Sequence, residues 1–448
     1  MPTNDTIAAI ATPPGKGGIG IVRVSGPLAA STATSILGDL PAERVATFSS
    51  FFDEDGTALD EGIAVFFRAP HSFTGEDVLE LQGHGGPVVL NLILSRVIKF
   101  GARLARPGEF SERAYLNDKL DLTQAEAIAD LIESSTADAA RGALRSMQGE
   151  FSSGVHQIVD ALTEFRMFVE AAIDFPEEEI DFLQDPGLIK RINMLISDTR
   201  VLSEDAAQGA LLREGLTIVL AGRPNAGKSS LMNRLTGKDT SIVTDISGTT
   251  RDVIDEHIQI DGLPIKLVDT AGLQQAEDPI ELEGVRRALD QINRSELVLL
   301  IVDVGAHHKH LAKHIEALLA ELPVVSKYLV VLNKSDLWCG EIKDLHHDYV
   351  FASTKTNEGL DELKDRIKSS INYNGHEGAF IARTRHIDAL RRALEALERG
   401  RLVFDQGGSG DLLAEDLRTT QMVLGEITGD FSSDDLLGKI FSTFCIGK

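Results

Sequence analysis

The chain has 448 residues, 43% of them hydrophobic, which is enough for two to four globular domains with their own cores. Its formal net charge of −25 argues against a basic coat for non-specific nucleic-acid binding, so any RNA contact has to be a local patch or shared with a partner. Two cysteines give no disulfide framework, and the lack of a signal-peptide pattern or a membrane-spanning apolar run predicts a cytoplasmic protein without membrane contact.

Residues 1–118 predict a small α+β domain. Strand character is found over 19–24 and 62–67, and apolar residues alternate over 78–82. Glycine-rich turns lie at 15–20 and 83–86. The first turn contains Gly15-Lys-Gly-Gly18 but lacks the strand, the spacing and the following Ser or Thr of a phosphate loop, so we interpret it as a tight turn.

Helical segments are predicted on both sides of a central region. Thr123 and Glu126 fit a capping box opening a helix over 125–147, and apolar residues at helical spacing continue from Val155 until Phe175-Pro176. Later amphipathic helices are predicted over 387–397 and 412–427, across the linker Gly407-Gly-Ser-Gly410. The simplest interpretation is a helical domain in two halves, 119–214 and 373–448, with another domain inserted between them.

The inserted segment, 215–372, alternates short apolar strands with helical stretches. This alternation predicts a mostly parallel sheet with helices on both faces, so the fold class is multidomain α/β. The predicted strands are Leu216–Ala221, 265–269, Leu297–Asp303, Tyr328–Asn333 and Tyr349–Ala352.

Four motifs in order indicate what this segment binds. Gly222-Arg-Pro-Asn-Ala-Gly-Lys-Ser229 fits the phosphate-loop pattern, in which backbone amides cradle phosphates, Lys228 reaches the outer ones and Ser229 ligates Mg²⁺. The Asp336 carboxylate can accept both N–H donors on the guanine edge, whereas adenine would leave it unpaired. The set therefore indicates binding and hydrolysis of GTP. The other three motifs are Gly248-Thr-Thr250, Asp269-Thr-Ala-Gly272 and Asn333-Lys-Ser-Asp336, with Ser353-Thr-Lys355 in the position that closes over the base.

The position that commonly orients the attacking water is unusual in this chain. GTPases often carry Gln directly after Asp-x-x-Gly, but Leu273 stands there and has no group to hold water. Gln274 follows one position too late to be the usual residue. Asn225 offers a neutral oxygen beside the phosphates, although it also fits an ordinary polar loop residue. Other groups must therefore position the water and supply the positive charge that an arginine finger would bring.

Further motifs lie outside the nucleotide set: Asp5-Thr-Ile-Ala-Ala-Ile-Ala-Thr-Pro-Pro-Gly15, Gly17-Gly-Ile-Gly-Ile-Val-Arg23-Val-Ser-Gly26, Gly83-His-Gly-Gly86, Leu120-Asp-Leu-Thr-Gln-Ala-Glu126 and Phe444-Cys-Ile-Gly-Lys448. Together with the nucleotide motifs, they resemble the tRNA modification GTPase family called MnmE or TrmE. The resemblance covers the whole chain and implies an amino-terminal domain that binds a tetrahydrofolate derivative of the 5,10-methylene or 5-formyl type and mediates homodimerisation. It also implies a heterotetramer with the flavoprotein MnmG (GidA), which adds an aminomethyl or carboxymethylaminomethyl group to carbon 5 of the wobble uridine of certain tRNAs.

The resemblance also assigns residues around the nucleotide. It implies Mg²⁺ on Ser229 and Thr250, and a water held by Glu281, which otherwise fits a solvated charge in the acidic stretch 277–283. It implies K⁺ on Asn225, Thr244, Ile246 and Thr249, where a monovalent cation would neutralise developing charge as an arginine does. The residues expected to contact the nucleotide or its ions are Asn225, Ala226, Gly227, Lys228, Ser229, Ser230, Thr244, Asp245, Ile246, Ser247, Gly248, Thr249, Thr250, Asp269, Thr270, Ala271, Gly272, Asn333, Lys334, Ser335, Asp336, Ser353, Thr354 and Lys355.

For the second chemistry, the resemblance implies folate contacts from Arg23, Glu80, Lys119 and Lys448. A carboxylate suits the paired N–H donors of a pterin and cations suit the glutamate tail, although each residue taken alone fits a surface charge better, and only the flanking motifs favour the folate role. Cys445 is either a buried apolar cysteine or a catalytic thiolate whose pKa a neighbouring cation lowers.

One alternative belongs to a different class. A GTP-driven switch in ribosome assembly, similar to Era or Der, would bind RNA and do no modification chemistry. Such a switch needs an appended RNA-binding module or a second GTPase. The chain has one phosphate loop, and its G-x-x-G candidate for RNA binding, Gly407 to Gly410, has no basic residue between the glycines, so this alternative is less favoured.

Overall fold

The computed structural model describes residues 5–174, 186–237, 255–269, 291–306, 311–323, 327–338, 346–375, 378–406, 410–431 and 434–447. The described strands are β1 (Ile7–Ile10), β2 (Gly20–Ser25), β3 (Thr47–Phe52), β4 (Ala58–Phe67), β5 (Val78–Gly83), β6 (Arg103–Leu104), β7 (Leu216–Ala221), β8 (Asp255–Ile260), β9 (Leu263–Asp269), β10 (Leu297–Asp303), β11 (Tyr328–Asn333) and β12 (Tyr349–Ala352). The described helices are α1 (Ala29–Leu37), α2 (Pro87–Phe100), α3 (Glu109–Leu116), α4 (Leu122–Glu133), α5 (Ala137–Met147), α6 (Glu150–Asp174), α7 (Pro186–Glu214), α8 (Lys228–Leu235), α9 (Leu311–Glu321), α10 (Leu360–Ser370), α11 (Thr384–Asp405), α12 (Gly410–Thr428) and α13 (Asp434–Ser442).

The chain divides into two compact units. The first comprises residues 1–129, 146–200 and 388–448, and the second comprises 130–145 and 201–387. The predicted domain bounds stay a prediction. Among the described residues, no helix is both long and apolar enough to cross a bilayer.

The first unit contains a six-stranded sheet in the order β3-β4-β5-β2-β1-β6. All its pairs are antiparallel except β1 with β6. Because side chains alternate along a strand, Val22 and Val24 lie in the core with α1 and α2, and Arg23 between them points to the opposite, half-buried face. The predicted α+β class of this segment is confirmed.

Helices complete the first unit. α12 packs along α6. The helix predicted to stop at Phe175-Pro176 is α6, which is described as far as Asp174. Leu122 and Ala125 of α4 form one apolar cluster with Phe441 and Phe444 at the carboxyl end of the chain. Phe441 and Phe444 therefore anchor the carboxyl-terminal segment to the core of the first unit.

The single helix predicted over 125–147 is wrong, because the structure has two helices there. Thr136 Oγ1 accepts a hydrogen bond from Ala139 N at 3.1 Å, so it caps a new helix, α5. Just before it, Ser134 Oγ donates to the Asp130 carbonyl at 2.6 Å, a local bond at the end of α4. Polar side chains between the two helices thus offer the backbone an alternative to continuous helix.

The predicted capping box is also displaced by two residues. Asp121 Oδ1 accepts from Gln124 N at 2.9 Å, and Gln124 Oε1 accepts from Asp121 N at 3.0 Å. Thr123 Oγ1 instead donates to Asp121 Oδ1 at 2.5 Å. Asp and Thr are both good N-cap residues, so the sequence allows a capping box at Asp121 and Gln124 or at Thr123 and Glu126. The chain uses the first of these.

The second unit contains a six-stranded sheet in the order β12-β11-β10-β7-β9-β8. Every pair is parallel except β8 with β9. Both faces are covered: Ile218 and Leu220 of β7 pack with α8 and α10, while Val219 and Ala221 pack with α9. The five predicted strands and the mostly parallel sheet are confirmed, and β8 is an additional strand.

Candidate functional site

The phosphate loop connects β7 to α8 at the carboxyl edge of the parallel sheet. Two glycines make its path possible. Gly222 has φ +146°, and a Cβ there would lie 2.3 Å from the Ile301 carbonyl oxygen. Gly227 has φ +99°, and a Cβ there would lie 2.1 Å from Asn333 Nδ2. A side chain at either position would push the loop off the sheet, so the backbone amides at the start of α8 keep their position only with glycine.

Lys228 is held inside this loop. Its side chain is buried, and Nζ donates to the Gly222 carbonyl at 2.8 Å and the Arg223 carbonyl at 3.3 Å. Burial lowers the pKa of Lys228, and the nearby Asp269 carboxylate acts in the opposite direction. A phosphate bound in the loop would therefore replace these carbonyl contacts of the Lys228 ammonium with a stronger, charge-assisted hydrogen bond.

Ser229 and Asp269 form the place where a divalent ion fits. Ser229 Oγ donates to Asp269 Oδ2 at 3.2 Å. Asp269 Oδ1 is buried and has no hydrogen-bond partner among the described residues. The Ser229 hydroxyl and the Asp269 carboxylate are hard oxygen donors. They suit Mg²⁺, which prefers oxygen ligands from side chains together with those of phosphate.

The base-recognition motif, Asn333-Lys-Ser-Asp336, lies beside the phosphate loop. Asn333 Nδ2 donates to the Ala226 carbonyl at 2.8 Å. The Asp336 side chain is 15% exposed, its Oδ1 accepts from Ser353 Oγ at 2.7 Å, and its Oδ2 lies 3.9 Å from Lys355 Nζ. The structure therefore brings together the predicted phosphate-binding, base-binding and base-closing residues.

The remaining predicted nucleotide residues fall into two groups. Ser230 is exposed on α8, Ser335 begins a short 3₁₀ helix (Ser335–Leu337), and the Thr354 carbonyl accepts from Arg234 Nε at 2.8 Å. The other predicted positions lie outside the described residues: Thr244, Asp245, Ile246, Ser247, Gly248, Thr249, Thr250, Thr270, Ala271, Gly272 and Glu281, together with Leu273 and Gln274.

Two of the predicted folate residues, Arg23 and Glu80, lie on the half-buried face of the first sheet. Arg23 Nε donates to Glu80 Oε1 at 3.0 Å, and Gln82 Nε2 donates to Glu80 Oε2 at 3.3 Å. The Arg23 guanidinium also lies 5.8 Å and 5.7 Å from the ring centroids of Phe73 and Phe110. The Phe73 ring is 37% exposed, so beside these polar groups it offers a face on which a flat heterocycle can stack, whereas Phe110 is fully buried and lies behind the Arg23 guanidinium.

The carboxyl-terminal tail reaches the same place. Arg23 Nη1 donates to the Gly447 carbonyl at 3.3 Å, and Gly108 N donates to the Cys445 carbonyl at 3.3 Å. Cys445 is exposed, so the interpretation of a buried apolar cysteine is wrong. Lys119 is exposed and its Nζ donates to the Pro70 carbonyl at 3.0 Å. Lys448 lies outside the described residues.

Some residues at these sites did not emerge from the sequence. Phe73, Phe110 and Gln82 surround the Arg23–Glu80 pair, and Asp303 contacts Lys334 of the base motif. Only Asp303 had a usable signal, because it ends a predicted parallel strand and strand ends of one sheet meet at one edge.

A strand, a glycine loop that feeds a helix, and a base-recognition motif at one edge of a parallel sheet define a P-loop GTPase. Comparison with known proteins then narrows the class. Residues 6–119 match the family model described as the GTP-binding protein TrmE N-terminus, and residues 122–445 match the MnmE helical domain. The chain belongs to the tRNA modification GTPase MnmE family.

Relatives of full length support this membership. The tRNA modification GTPase MnmE of Stutzerimonas stutzeri (strain A1501) is 54% identical, with 100% of both chains covered. That of Pseudomonas putida (strain KT2440) is 55% identical over 99% of both chains, and that of Yersinia pseudotuberculosis (serotype IB) is 53% identical over 100% of both. Among solved structures, the G domain of the T. maritima FeoB iron transporter covers 35% of this chain and 98% of its own, at 28% identity and a TM-score of 0.28, which is too low to support any argument.

Proposed function

We propose that this protein hydrolyses GTP in the second unit to control modification of the wobble uridine of certain tRNAs. The observation that carries the proposal is the nucleotide site, where a phosphate loop, a buried Lys228 and the paired Asp336 carboxylate meet at one sheet edge. Full-length relatives named as tRNA modification GTPases support the link to tRNA.

Two ions take part in the proposed hydrolysis. Mg²⁺ is held by Ser229 with Thr250, which is supported by Asp269 Oδ1 beside Ser229, a buried oxygen that has no hydrogen-bond partner in the part of the chain that the structure describes. K⁺ is held by Asn225 with Thr244, Ile246 and Thr249. The ions neutralise charge that develops on the phosphates, and the protein supplies the cradle. Hydrolysis in K⁺ is expected to exceed hydrolysis in Na⁺ at equal ionic strength, and equal rates would overturn the K⁺ site.

Glu281 is the proposed group that orients the attacking water, because Leu273 cannot do so. Changing Glu281 to Ala should lower kcat while GTP affinity is retained, since a water-orienting group acts in the transition state. Glu277→Ala is the matched control, a neighbouring carboxylate with no assigned role. An equal loss of kcat in both variants would contradict the assignment.

The first unit carries the proposed second chemistry. Arg23, Glu80, Lys119 and Lys448 bind a tetrahydrofolate derivative of the 5,10-methylene or 5-formyl type, and the Arg23–Glu80 pair with the exposed Phe73 ring beside it supports a flat ligand. Cys445 acts as a nucleophile, which its exposure supports. Cys445→Ser should abolish tRNA modification and spare GTP hydrolysis, whereas Cys339→Ser should affect neither.

The proposed assembly is a cytoplasmic homodimer that joins the flavoprotein MnmG (GidA) in a heterotetramer and acts on tRNA. Together they add an aminomethyl or carboxymethylaminomethyl group to carbon 5 of the wobble uridine. The proposed domains are a folate-binding and dimerisation domain over 1–118, helical halves over 119–214 and 373–448, and a GTPase domain over 215–372.

Mass spectrometry of wobble nucleosides is the decisive test. A strain that lacks this protein is expected to lose the modified uridine, and the wild-type gene should restore it. Unchanged nucleosides in the deletion strain would reject the modification function and favour the alternative of a ribosome-assembly switch similar to Era or Der.

A further inference from the structure

Asp303 stands at the end of β10, directly opposite Asn333 at the end of β11. Its carboxylate is used at both oxygens. Oδ1 accepts from Gly305 N at 2.9 Å, and Oδ2 accepts from Lys334 Nζ. The Asp303 side chain is 20% exposed and that of Lys334 is 34% exposed, so the pair is partly shielded from water. A charge-assisted bond in this setting fixes the position of the ammonium.

The same ammonium reaches the phosphate loop. Lys334 Nζ donates to the Asn225 carbonyl at 3.0 Å. Asn225 and Lys334 both have φ +62°, the left-handed region that residues with a Cβ adopt only when surrounding contacts hold them. The Lys334 side chain thus links its own backbone to that of Asn225, and Asp303 holds the ammonium from the other side.

We infer that Asp303 is a positioning residue of the nucleotide site, whose carboxylate holds the Lys334 ammonium against the Asn225 carbonyl so that the phosphate loop and the base-recognition segment move as one unit. The inference rests on the proposed nucleotide-binding function of this edge. Asn333 makes its own bond to Ala226, so loss of Asp303 loosens the Asn225 end of the loop and leaves that bond intact. Asn225 is also the proposed K⁺ ligand, so its position sets K⁺ affinity.

The test uses the full chain and Asp303→Asn, which keeps the shape and removes the charge that holds Lys334. Release of a fluorescent GDP analogue should become about tenfold faster, the effect of losing one charge-assisted hydrogen bond. The K⁺ concentration for half-maximal GTP hydrolysis should rise by a similar factor. Asp361→Asn is the matched control, because the Asp361 side chain is 99% exposed on the same unit.

A double-mutant cycle separates positioning from a general loss of folding. If Asp303 acts through Lys334, Asp303→Asn should add nothing to the release rate of a Lys334→Met variant. Additive effects, or wild-type GDP release by Asp303→Asn, would overturn the inference. Without nucleotide, Asp303→Asn should lower the unfolding temperature by only a few degrees, as expected for the loss of one bond, and a large drop there would assign the residue to stability alone.

The wild-type measurement keeps this inference distinct from the proposed function. If wild-type protein does not bind the GDP analogue, the nucleotide function fails and the role of Asp303 fails with it. If wild-type protein binds and Asp303→Asn behaves identically, only the role of Asp303 is rejected.

Discussion

At the residue scale, Asp336 is the side chain proposed to recognise the guanine edge. Its Oδ1 is held by Ser353 and its Oδ2 faces Lys355, so the carboxylate is oriented before a base arrives. We predict that Asp336→Asn weakens GTP binding about 100-fold or more, because an amide cannot accept both guanine N–H donors. Affinity for xanthosine triphosphate should rise at the same time.

Competition binding with both nucleotides measures this change. Asp348→Asn is a suitable control, because Asp348 pairs with Arg366 on an exposed surface of the same unit. Retention of full GTP affinity in Asp336→Asn would contradict the assignment of Asp336 to the guanine edge.

Gly447 decides whether the carboxyl-terminal tail can lie on the first sheet. It has φ +95°, and a Cβ would lie 2.6 Å from the Ile10 carbonyl oxygen. We predict that Gly447→Ala displaces the tail together with Cys445, so tRNA modification falls while GTP hydrolysis is retained. Gly438→Ala is the control, because nothing lies within 4 Å of a Cβ there. Equal modification by both variants would show that the tail contact is dispensable.

At the scale of elements, the cap of α5 depends on one hydroxyl. Thr136 is buried and accepts from Ala139 N, so removing its oxygen leaves an amide of the first turn unpaired. We predict that Thr136→Ala lowers the free energy of unfolding by about 1 kcal/mol. Denaturant unfolding measures the change, Thr136→Ser should restore most of it, and equal loss in the Ser variant would point to packing of the methyl group instead.

The turn between β8 and β9 lies close to Asp138 of α5. Gly262 has φ +80°, and a Cβ would lie 1.8 Å from Asp138 Oδ2 and 2.9 Å from Asp138 Cβ. Gly262→Ala should therefore cost about 2 kcal/mol of stability through backbone strain and collision together. Gly375→Ala separates the two causes, because Gly375 has φ +58° but its nearest neighbour, Tyr373, is 3.8 Å away.

Thermal unfolding of the two glycine variants measures this difference. The Gly262 variant should lose more stability than the Gly375 variant, and Asp138→Ala should recover part of the loss. Equal losses would mean that the positive φ alone sets the cost.

At the scale of the whole molecule, one buried carboxylate should make stability depend on pH. Burial raises the pKa of Glu109, but hydrogen bonds from Arg103 and the Arg106 amide outweigh it and hold the pKa at about 2, below the ordinary 4.5. A group whose pKa falls on folding stabilises the protein above its unfolded pKa. This contribution, about 3 kcal/mol at neutral pH, should decline below about pH 4.5 and vanish near pH 2.

Unfolding of Glu109→Gln across this pH range tests the expectation. The variant should be less stable than wild type at neutral pH, and the two curves should converge as the pH falls. Glu112→Gln is the control, since Glu112 is more exposed and pairs only with Arg106 among the described residues. A constant difference at every pH would show that Glu109 acts through packing and not through its charge.

Local sequence patterns were sufficient to predict many residues of the nucleotide site. The glycines of the phosphate loop, Lys228 and Asp336 are recognisable because a phosphate and a guanine edge each demand particular groups at a fixed spacing. The parallel strands were recognisable for a related reason, since burial on both faces requires continuous apolar runs. Pattern alone did not fix the break at Ser134–Thr136, where side chains compete with the helix for backbone hydrogen bonds.

What the sequence by itself determined is therefore the fold class, the phosphate and base motifs, and membership of a GTPase family. The tertiary structure alone decided that Asp303 contacts Lys334, that Phe73 and Phe110 flank Arg23, and that Cys445 is exposed on a tail bound to the amino-terminal sheet. The physical reason is distance along the chain: 424 residues separate Arg23 from Gly447, and no local pattern encodes a contact made by packing.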